Sequence, residues 1–184
     1  MSVGSDRARL LTKACLCAAA LGAVSLVSAP AKAEDEIAVD VEAAWADDPN
    51  DTNGLGVGLR VGHVWDIAIL TITPEFGVSY HDFDGAADPT AWNVMAGGRF
   101  GVDLLLEPSV FAHAGLGHFD YALPGNDVSH TSLGYDVGAA LDITMLPVID
   151  FGVHASVAGI AGNDTIDPFS WVAVGGHIAF AFNE

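Results

Sequence analysis

Residues 133–143 read LGYDVGAALDI, and this stretch decides the fold class. Apolar side chains stand at every second position, beginning with Leu133 and Tyr135 and all of them large except Ala139, whereas Gly, Ala or Asp occupies the positions between. A strict period of two places alternate side chains on opposite faces of a β-strand, whereas a helix would repeat every 3.6 residues. The stretch therefore predicts a strand with one apolar face and one small or acidic face.

The same alternation recurs seven more times after residue 36. The other predicted strands are residues 37–45, 55–62, 70–81, 92–102, about 109–121, 149–157 and 172–182. Such strands of about 9–11 residues are long enough to cross a bilayer at a tilt. Pro74 cannot donate to a ladder and predicts a bulge in its strand. The sequence as a whole predicts an all-β fold, an eight-stranded antiparallel up-and-down transmembrane β-barrel.

The connections between the predicted strands alternate in length. Short turns are expected near residues 65–66, 103–108 and 144–147, and longer polar loops at residues 47–53, 82–90, 122–131 and 162–170. Short turns at one rim and long loops at the other are typical of outer-membrane barrels whose N-terminus lies on the periplasmic side.

The N-terminal segment has the organisation of a secretory signal peptide. Arg7, Arg9 and Lys13 precede an apolar run at residues 14–27, and Ala31 and Ala33 form an A-x-A cleavage site. Removal of residues 1–33 leaves a barrel domain of residues 34–184. Both cysteines leave with the signal, which excludes disulfides and thiol chemistry in the mature chain.

The charge is strongly acidic and lies on one face of the predicted strands. The chain has a net charge of −18 but is 51% hydrophobic, which excludes a disordered acidic chain, and its charge disfavours a nucleic-acid partner. After cleavage, Arg60 and Arg99 are the only Lys or Arg residues left. The interior of an eight-stranded barrel is filled by side chains. We therefore predict an interior charge network made of Asp40, Glu42, Arg60, Glu75, Arg99, Asp136, Asp142 and Asp150.

Aromatic residues lie near the ends of the predicted strands. Rings of this kind favour the membrane–water interface, because the apolar body enters the lipid while a polar group stays hydrated. The residues predicted to form two aromatic girdles are Trp45, Trp65, Tyr80, Trp92, Phe100, Tyr135, Phe151, Trp171, Phe180 and Phe182.

Three segments resemble the small outer-membrane β-barrel family of OmpA/OmpX type: residues 98–101 (GRFG), 133–138 (LGYDVG) and 175–182 (GGHIAFAF). The resemblance covers residues 34–184. It implies a location in the cell outer membrane, among its lipids and lipopolysaccharide. It also implies that the barrel-assembly machinery recognises the last strand, although here Asn183 and Glu184 follow the final aromatic residue.

The sequence offers weak signals for chemistry. His81, His113, His154 and His177 are expected to point inward, but no pair has a fixed ligand spacing, which favours polar filling of the interior over a metal site. His130-Thr131-Ser132 resembles the His/Ser arrangement of barrel lipid A deacylases, but no orienting carboxylate is apparent. We therefore predict no catalytic residue, no cofactor and no metal.

These observations predict a non-enzymatic, integral outer-membrane barrel. Its interior is filled by side chains, and its role is structural or a surface interaction through acidic extracellular loops with an undetermined ligand. The acidic residues of these loops favour a solvated rim over a specific site that binds divalent cations or bridges to lipopolysaccharide. The alternatives are a narrow porin-like channel, a lipid A-modifying barrel enzyme that uses His130 and Ser132, and a soluble lipocalin-like binder with its apolar face inside.

Overall fold

The computed structural model describes residues 35–47, 52–67, 69–85, 88–123, 126–146 and 148–182. The predicted signal peptide, with Ala31 and Ala33, and the last two residues lie outside this part of the chain. Within it, no helix is long and apolar enough to cross a membrane.

The described chain forms nine strands. They are β1 (Asp35–Ala46), β2 (Asn53–His63), β3 (Trp65–Ile67), β4 (Leu70–Asp84), β5 (Thr90–Val102), β6 (Leu106–Leu123), β7 (Asn126–Leu146), β8 (Ile149–Ile160) and β9 (Phe169–Phe182). Consecutive barrel strands pair antiparallel, and β3 is a short extension that pairs only with β4.

The barrel closes between the first and last strands. β1 pairs with β2 on one side and with β9 on the other, from Asp35 opposite Phe182 to Ala46 opposite Trp171. Because β2 also pairs with β4, the eight long strands form a closed ring. Closure leaves no open sheet edge within the ring of eight long strands, which is the condition for a sheet to exist in lipid. The predicted eight-stranded antiparallel barrel is confirmed.

Large apolar side chains cover the outer face of the barrel. Examples such as Val41, Phe76, Val110 and Val153 are about half exposed, and every one of the eight long strands contributes at least two such residues. The opposite positions point into the interior, where small, polar and charged residues are buried together with a group of aromatic side chains near the long-loop end. The lipocalin-like alternative requires the reverse arrangement, so the structure contradicts it.

One predicted loop is wrong. Residues 122–131 were expected to form a long polar loop, but β6 continues to Leu123 and β7 begins at Asn126. β7 pairs with β8 only from Gly134 onward, so the upper part of the β6–β7 hairpin extends beyond the barrel wall. The polar composition of this segment did not indicate a strand, because a hairpin outside the membrane needs no apolar face.

The bulge predicted at Pro74 is also absent. Pro74 stands opposite Gly98 with no change of register. The β2–β4 ladder ends at Gly62 opposite Glu75, and pairing resumes at Trp65 in β3, so the proline lies where the neighbouring ladder is interrupted. The register shift lies instead in β7, between Thr144 and Leu146.

Candidate functional site

The barrel interior has three layers, and the layer at the long-loop end is apolar. We call it the apolar plug. Phe83 contacts Phe169 and Trp171 at ring-centroid distances of 5.3 and 5.8 Å, and Phe119 lies 5.6 Å from Phe169. The plug consists of Ala44, Ala46, Phe83, Ala91, Phe119, Ala158, Ile160, Phe169, Trp171 and Ala173, with Tyr121 and Ile166 packed against it.

The plug depends on a glycine in the barrel wall. Gly54 of β2 stands opposite Phe83 of β4. A Cβ atom at Gly54 would lie 2.7 Å from Cδ1 of Phe83 and 2.6 Å from the carbonyl oxygen of Asp82. The absence of a side chain at this position therefore provides the space that the Phe83 ring occupies.

Below the plug lies a network of ion pairs that crosses the barrel. Arg60 donates to both carboxylate oxygens of Asp40 at 3.0 and 2.9 Å, and to Glu75 Oε1 at 2.9 Å. Arg99 lies 3.1 Å from the same Glu75 oxygen and donates to Asp142 at 2.9 Å. These five residues link β1, β2, β4, β5 and β7, and we call them the central ion-pair network. Because each charge has a partner, the cost of burial is offset.

The remaining charged residues predicted for the interior also point inward. Glu42 lies 3.6 Å from His81 and 3.8 Å from His154, and Asp136 lies 3.7 Å from His113, whose Nε2 donates to Glu75 at 2.8 Å. Asp150 lies apart from the network, in the cavity below it.

A cavity of about 610 Å³ opens at the short-turn end, and we call it the acidic vestibule. Among the described residues, one arginine, Arg99, lines it. Its carboxylates are Glu36, Asp66, Asp103, Glu107, Asp142 and Asp150. The sequence alone did not identify Glu36 as an interior residue, because the first strand was expected to begin at Ile37. Glu36 nevertheless has the same parity along the strand as Asp40, which points inward.

Between the network and the plug lies a second cavity, which measures only about 60 Å³.

Two of the interior histidines meet beside a carboxylate. The rings of His154 and His177 stack at 5.7 Å, with their Nδ1 atoms 3.5 Å apart. His154 Nδ1 lies 3.9 Å from Asp40 Oδ1, and one ligand atom from each of the three residues lies within 4.8 Å of the other two. This is the set of described residues able to hold a metal ion; His81 instead packs on Trp171 at 4.9 Å.

The predicted aromatic girdles require one correction. Trp45, Trp65, Trp92, Phe100 and Phe151 are exposed on the outer face. Four others share the parity of outward residues and are half-buried: Tyr80, Tyr135, Phe180 and Phe182. Trp171 is 1% exposed and belongs to the apolar plug. Trp171 has the same parity along β9 as Ala173 and His177 and therefore points to the same, inner face. Its position near the rim had indicated a girdle residue instead.

His130 and Ser132 lie on the inner parity of β7. His130 Nε2 donates to the carbonyl oxygen of Ala161 at 3.1 Å, and its ring lies 5.4 Å from Phe119. Both residues lie above Gly134, where the pairing of β7 with β8 begins, and both are partly exposed.

The long-loop rim carries the exposed acidic residues that the sequence indicated. Asp47 follows β1, Asp84 ends β4, and Asp164 and Asp167 lie in the β8–β9 loop, all of them exposed. Asp120, on the extended hairpin, lies 3.1 Å from Nε2 of His118. We call this set the acidic rim.

Several solved structures share this fold. No family model matches the chain, and no curated protein matches it in sequence. Neisserial surface protein A (NspA) superposes with a TM-score of 0.67 at 16% identity, covering 81% of this chain and 97% of that one. The outer membrane enzyme PagL gives 0.61 at 15% identity, covering 76% and 97%. Ail, the attachment invasion locus protein of Yersinia pestis, gives 0.51 at 17% identity, covering 80% and 99%. The fold is therefore that of small outer-membrane barrels.

Proposed function

We propose that this protein is an integral outer-membrane barrel that acts at the cell surface through its acidic rim. One observation carries the proposal: all eight long strands expose large apolar side chains outward while the charged residues point inward. In water such an outer face would be an extended apolar patch, whereas in lipid it is the expected surface. The fold shared with known outer-membrane barrels supports the same location.

Loop length supports the orientation. The short connections after β5 and β7 support a periplasmic position for one rim, and the longer β6–β7 hairpin and β8–β9 loop support an external position for the other. The acidic rim then faces the external medium. Its carboxylates suit divalent cations that bridge to the phosphates of lipopolysaccharide, or a cationic surface on a partner.

A channel is the weaker alternative. The plug side chains Phe83, Phe119 and Ile160 have no exposed surface, and the central ion-pair network lies below them. An ion passing through would have to displace both layers. Planar-bilayer recordings of the purified barrel should show no conductance steps, and regular steps would favour the channel.

An enzymatic role has less support than a surface role. PagL is an enzyme with this fold, but a shared fold at 15% identity does not transfer an activity. The hydrogen bond described for His130 goes to the carbonyl oxygen of Ala161 and not to Ser132. Lipid A from cells that express the wild type or Ser132→Ala should give the same mass spectrum, and a mass change that requires Ser132 would establish catalysis.

Cell fractionation tests the location directly. The mature protein should sediment with outer membranes and migrate faster on SDS gels before boiling than after, because a closed barrel resists SDS until it is heated. A matched variant, Val110→Asp, places a charge on the lipid-facing side, where the position is 58% exposed. This variant should be recovered poorly in the membrane. Soluble wild-type protein without a heat-dependent shift would overturn the proposal.

The last strand should also guide assembly. β9 ends with Phe180 and Phe182, which alternate on the outer face and close against β1. We propose that the assembly machinery binds this strand, as the family resemblance implies. Replacement of Phe180 by Ser should reduce the membrane-inserted fraction more than Phe100→Ser, an equivalent outward change away from the C-terminus.

A further inference from the structure

His154, His177 and the nearby Asp40 lie on three neighbouring strands, at the seam where the barrel closes. His154 lies on β8, His177 on β9 and Asp40 on β1, and Asp40 stands directly opposite His177 in the β1–β9 register. All three are buried, with 9%, 4% and 5% of their surface exposed. The cluster therefore joins the two ends of the barrel sequence.

The outer nitrogens of both histidines face carboxylates. His177 Nε2 lies 2.8 Å from Asp142 Oδ1, and His154 Nε2 lies 3.8 Å from Glu42 Oε2. A carboxylate beside one ring nitrogen favours the tautomer whose proton is on that nitrogen, an arrangement typical of metal-bound histidines. For His177 this leaves a lone pair on Nδ1, whereas His154 has a carboxylate near each ring nitrogen, Glu42 at Nε2 and Asp40 at Nδ1.

The inner nitrogens face each other: when one of them carries a proton it donates to the other, and when both carry lone pairs they repel. They are 3.5 Å apart, and Asp40 Oδ1 lies 3.9 Å from the Nδ1 atom of His154. Arg60 donates to the same Asp40 oxygen, which retains a second lone pair. Three atoms of metal-ligand type thus converge in a buried place, where one cation could be bound by all three.

The charge balance of the described interior also favours a cation. The arginines Arg60 and Arg99 and the histidines His81, His113, His154 and His177 face eight inward carboxylates, so negative charge is in excess even with every histidine protonated: Glu36, Asp40, Glu42, Glu75, Glu107, Asp136, Asp142 and Asp150. A buried excess of negative charge is costly unless cations offset it. The acidic vestibule, which His177 and Asp142 line, provides a negatively charged path from the periplasmic rim.

We propose that Asp40, His154 and His177 bind one divalent transition-metal ion of the zinc type. Two imidazole nitrogens and one carboxylate oxygen are a donor set that such ions accept, with a fourth position left for water. Metal–ligand bonds of about 2.0–2.2 Å place neighbouring ligand atoms a little over 3 Å apart, so the observed spacings need only small side-chain shifts. This proposal goes beyond the surface role, because it concerns the interior and not the acidic rim.

The bound ion would act as a clasp across the closing seam. It would connect β1 to β8 and β9 through side chains, in addition to the backbone ladder between the first and last strands. Because the three ligands meet only in the folded barrel, binding energy becomes folding energy. The expected role is structural, since the site lies beneath the apolar plug and away from the lipid.

Metal titration of the untagged, purified barrel in detergent tests the site. After treatment with a chelator, the folded wild type should take up one tightly held equivalent of Zn²⁺, which excess Ca²⁺ should not displace. His154→Gln and His177→Gln should each abolish that equivalent, whereas His118→Gln, the same change near the long-loop rim, should retain it. Asp142→Asn should lower the affinity about 10–100-fold, because it orients His177 without being a ligand.

A measurement on the wild type alone guards against variants that fail to fold. X-ray absorption at the zinc edge should show two imidazole ligands, and the heat-dependent gel shift should confirm that the sample is a closed barrel. A folded wild type that takes up no Zn²⁺, or a zinc environment of oxygen ligands only, would overturn the proposal. So would equal uptake by folded His177→Gln. Each of these results leaves the membrane location unaffected.

Discussion

The two ends of the barrel interior are filled in opposite ways. At the long-loop end the space inside the wall is filled by aromatic rings and alanines, among which Phe83 and Phe119 have no exposed surface. At the short-turn end the wall encloses a cavity of about 610 Å³ lined by carboxylates. The difference teaches that apolar packing is concentrated in one layer of the interior. The other end holds charged side chains around an open cavity.

Removal of a ring from the plug should have the largest effect. Trp171→Ala leaves a cavity where collapse is restricted by the barrel wall, and we expect a loss of about 3–5 kcal/mol in the free energy of unfolding. Denaturant titration in detergent measures this. The control is Val172→Ala, the next residue but 47% exposed to lipid, which should cost about 1 kcal/mol. Equal losses would mean that the plug contributes no more than the outer face.

The central ion-pair network should come next. Glu75→Gln removes the charge that Arg60, Arg99 and His113 share, and breaking a buried ion pair costs about 3 kcal/mol. The same titration measures the loss, with the exposed rim substitution Asp47→Asn as its control, expected within about 0.5 kcal/mol of wild type. A neutral Glu75→Gln would show that the two arginines need only Asp40 and Asp142.

An added methyl group at the wall should have a moderate effect. Gly54→Ala brings a Cβ against Phe83 and the Asp82 carbonyl, and overpacking of this kind costs about 1–3 kcal/mol. Gly98→Ala is the matched control on the lipid-facing side. Its Cβ would meet nothing closer than 3.5 Å, and the change should be nearly neutral. A tolerated Gly54→Ala would mean that the plug can shift to make room.

The vestibule should be the least sensitive region. Asp103 lines it but is exposed, so Asp103→Asn should change the free energy of unfolding by less than about 0.5 kcal/mol. A loss comparable to that of Glu75→Gln would show that the cavity is as tightly organised as the network, and would remove the contrast between the two ends.

Much of the wall could be predicted from the sequence, because side-chain direction in a strand follows parity alone. The alternation around Val137 and Asp136 assigned both faces correctly, and the same rule placed Arg60 and Arg99 inside. The prediction is wrong where a residue's position near a strand end is used instead of its parity. Trp171 was assigned to a girdle because it lies near a strand end, although its parity is that of His177.

Contacts across the interior could not be predicted. Asp40, His154 and His177 meet because β1, β8 and β9 are neighbours in a closed ring, and their approach depends on strand register and stagger. Histidines at distant positions give no spacing signal of the kind that marks a local metal motif. The length of the β6–β7 hairpin was missed for a related reason: outside the lipid, a strand pair no longer needs the apolar alternation that identified the others.

The register of Asp35 opposite Phe182 has a consequence for chain connectivity. The two ends of the described barrel lie side by side at the short-turn rim, so a short linker could join them without disturbing a strand. New termini could then be opened in the exposed turn between β5 and β6, at the same rim. In such a circularly permuted barrel every strand would keep its neighbours, and the β9–β1 pair would become a hairpin. Comparing its assembly with that of the natural chain order would show whether the β1–β9 pair matters because it closes the ring or because it contains the two chain ends.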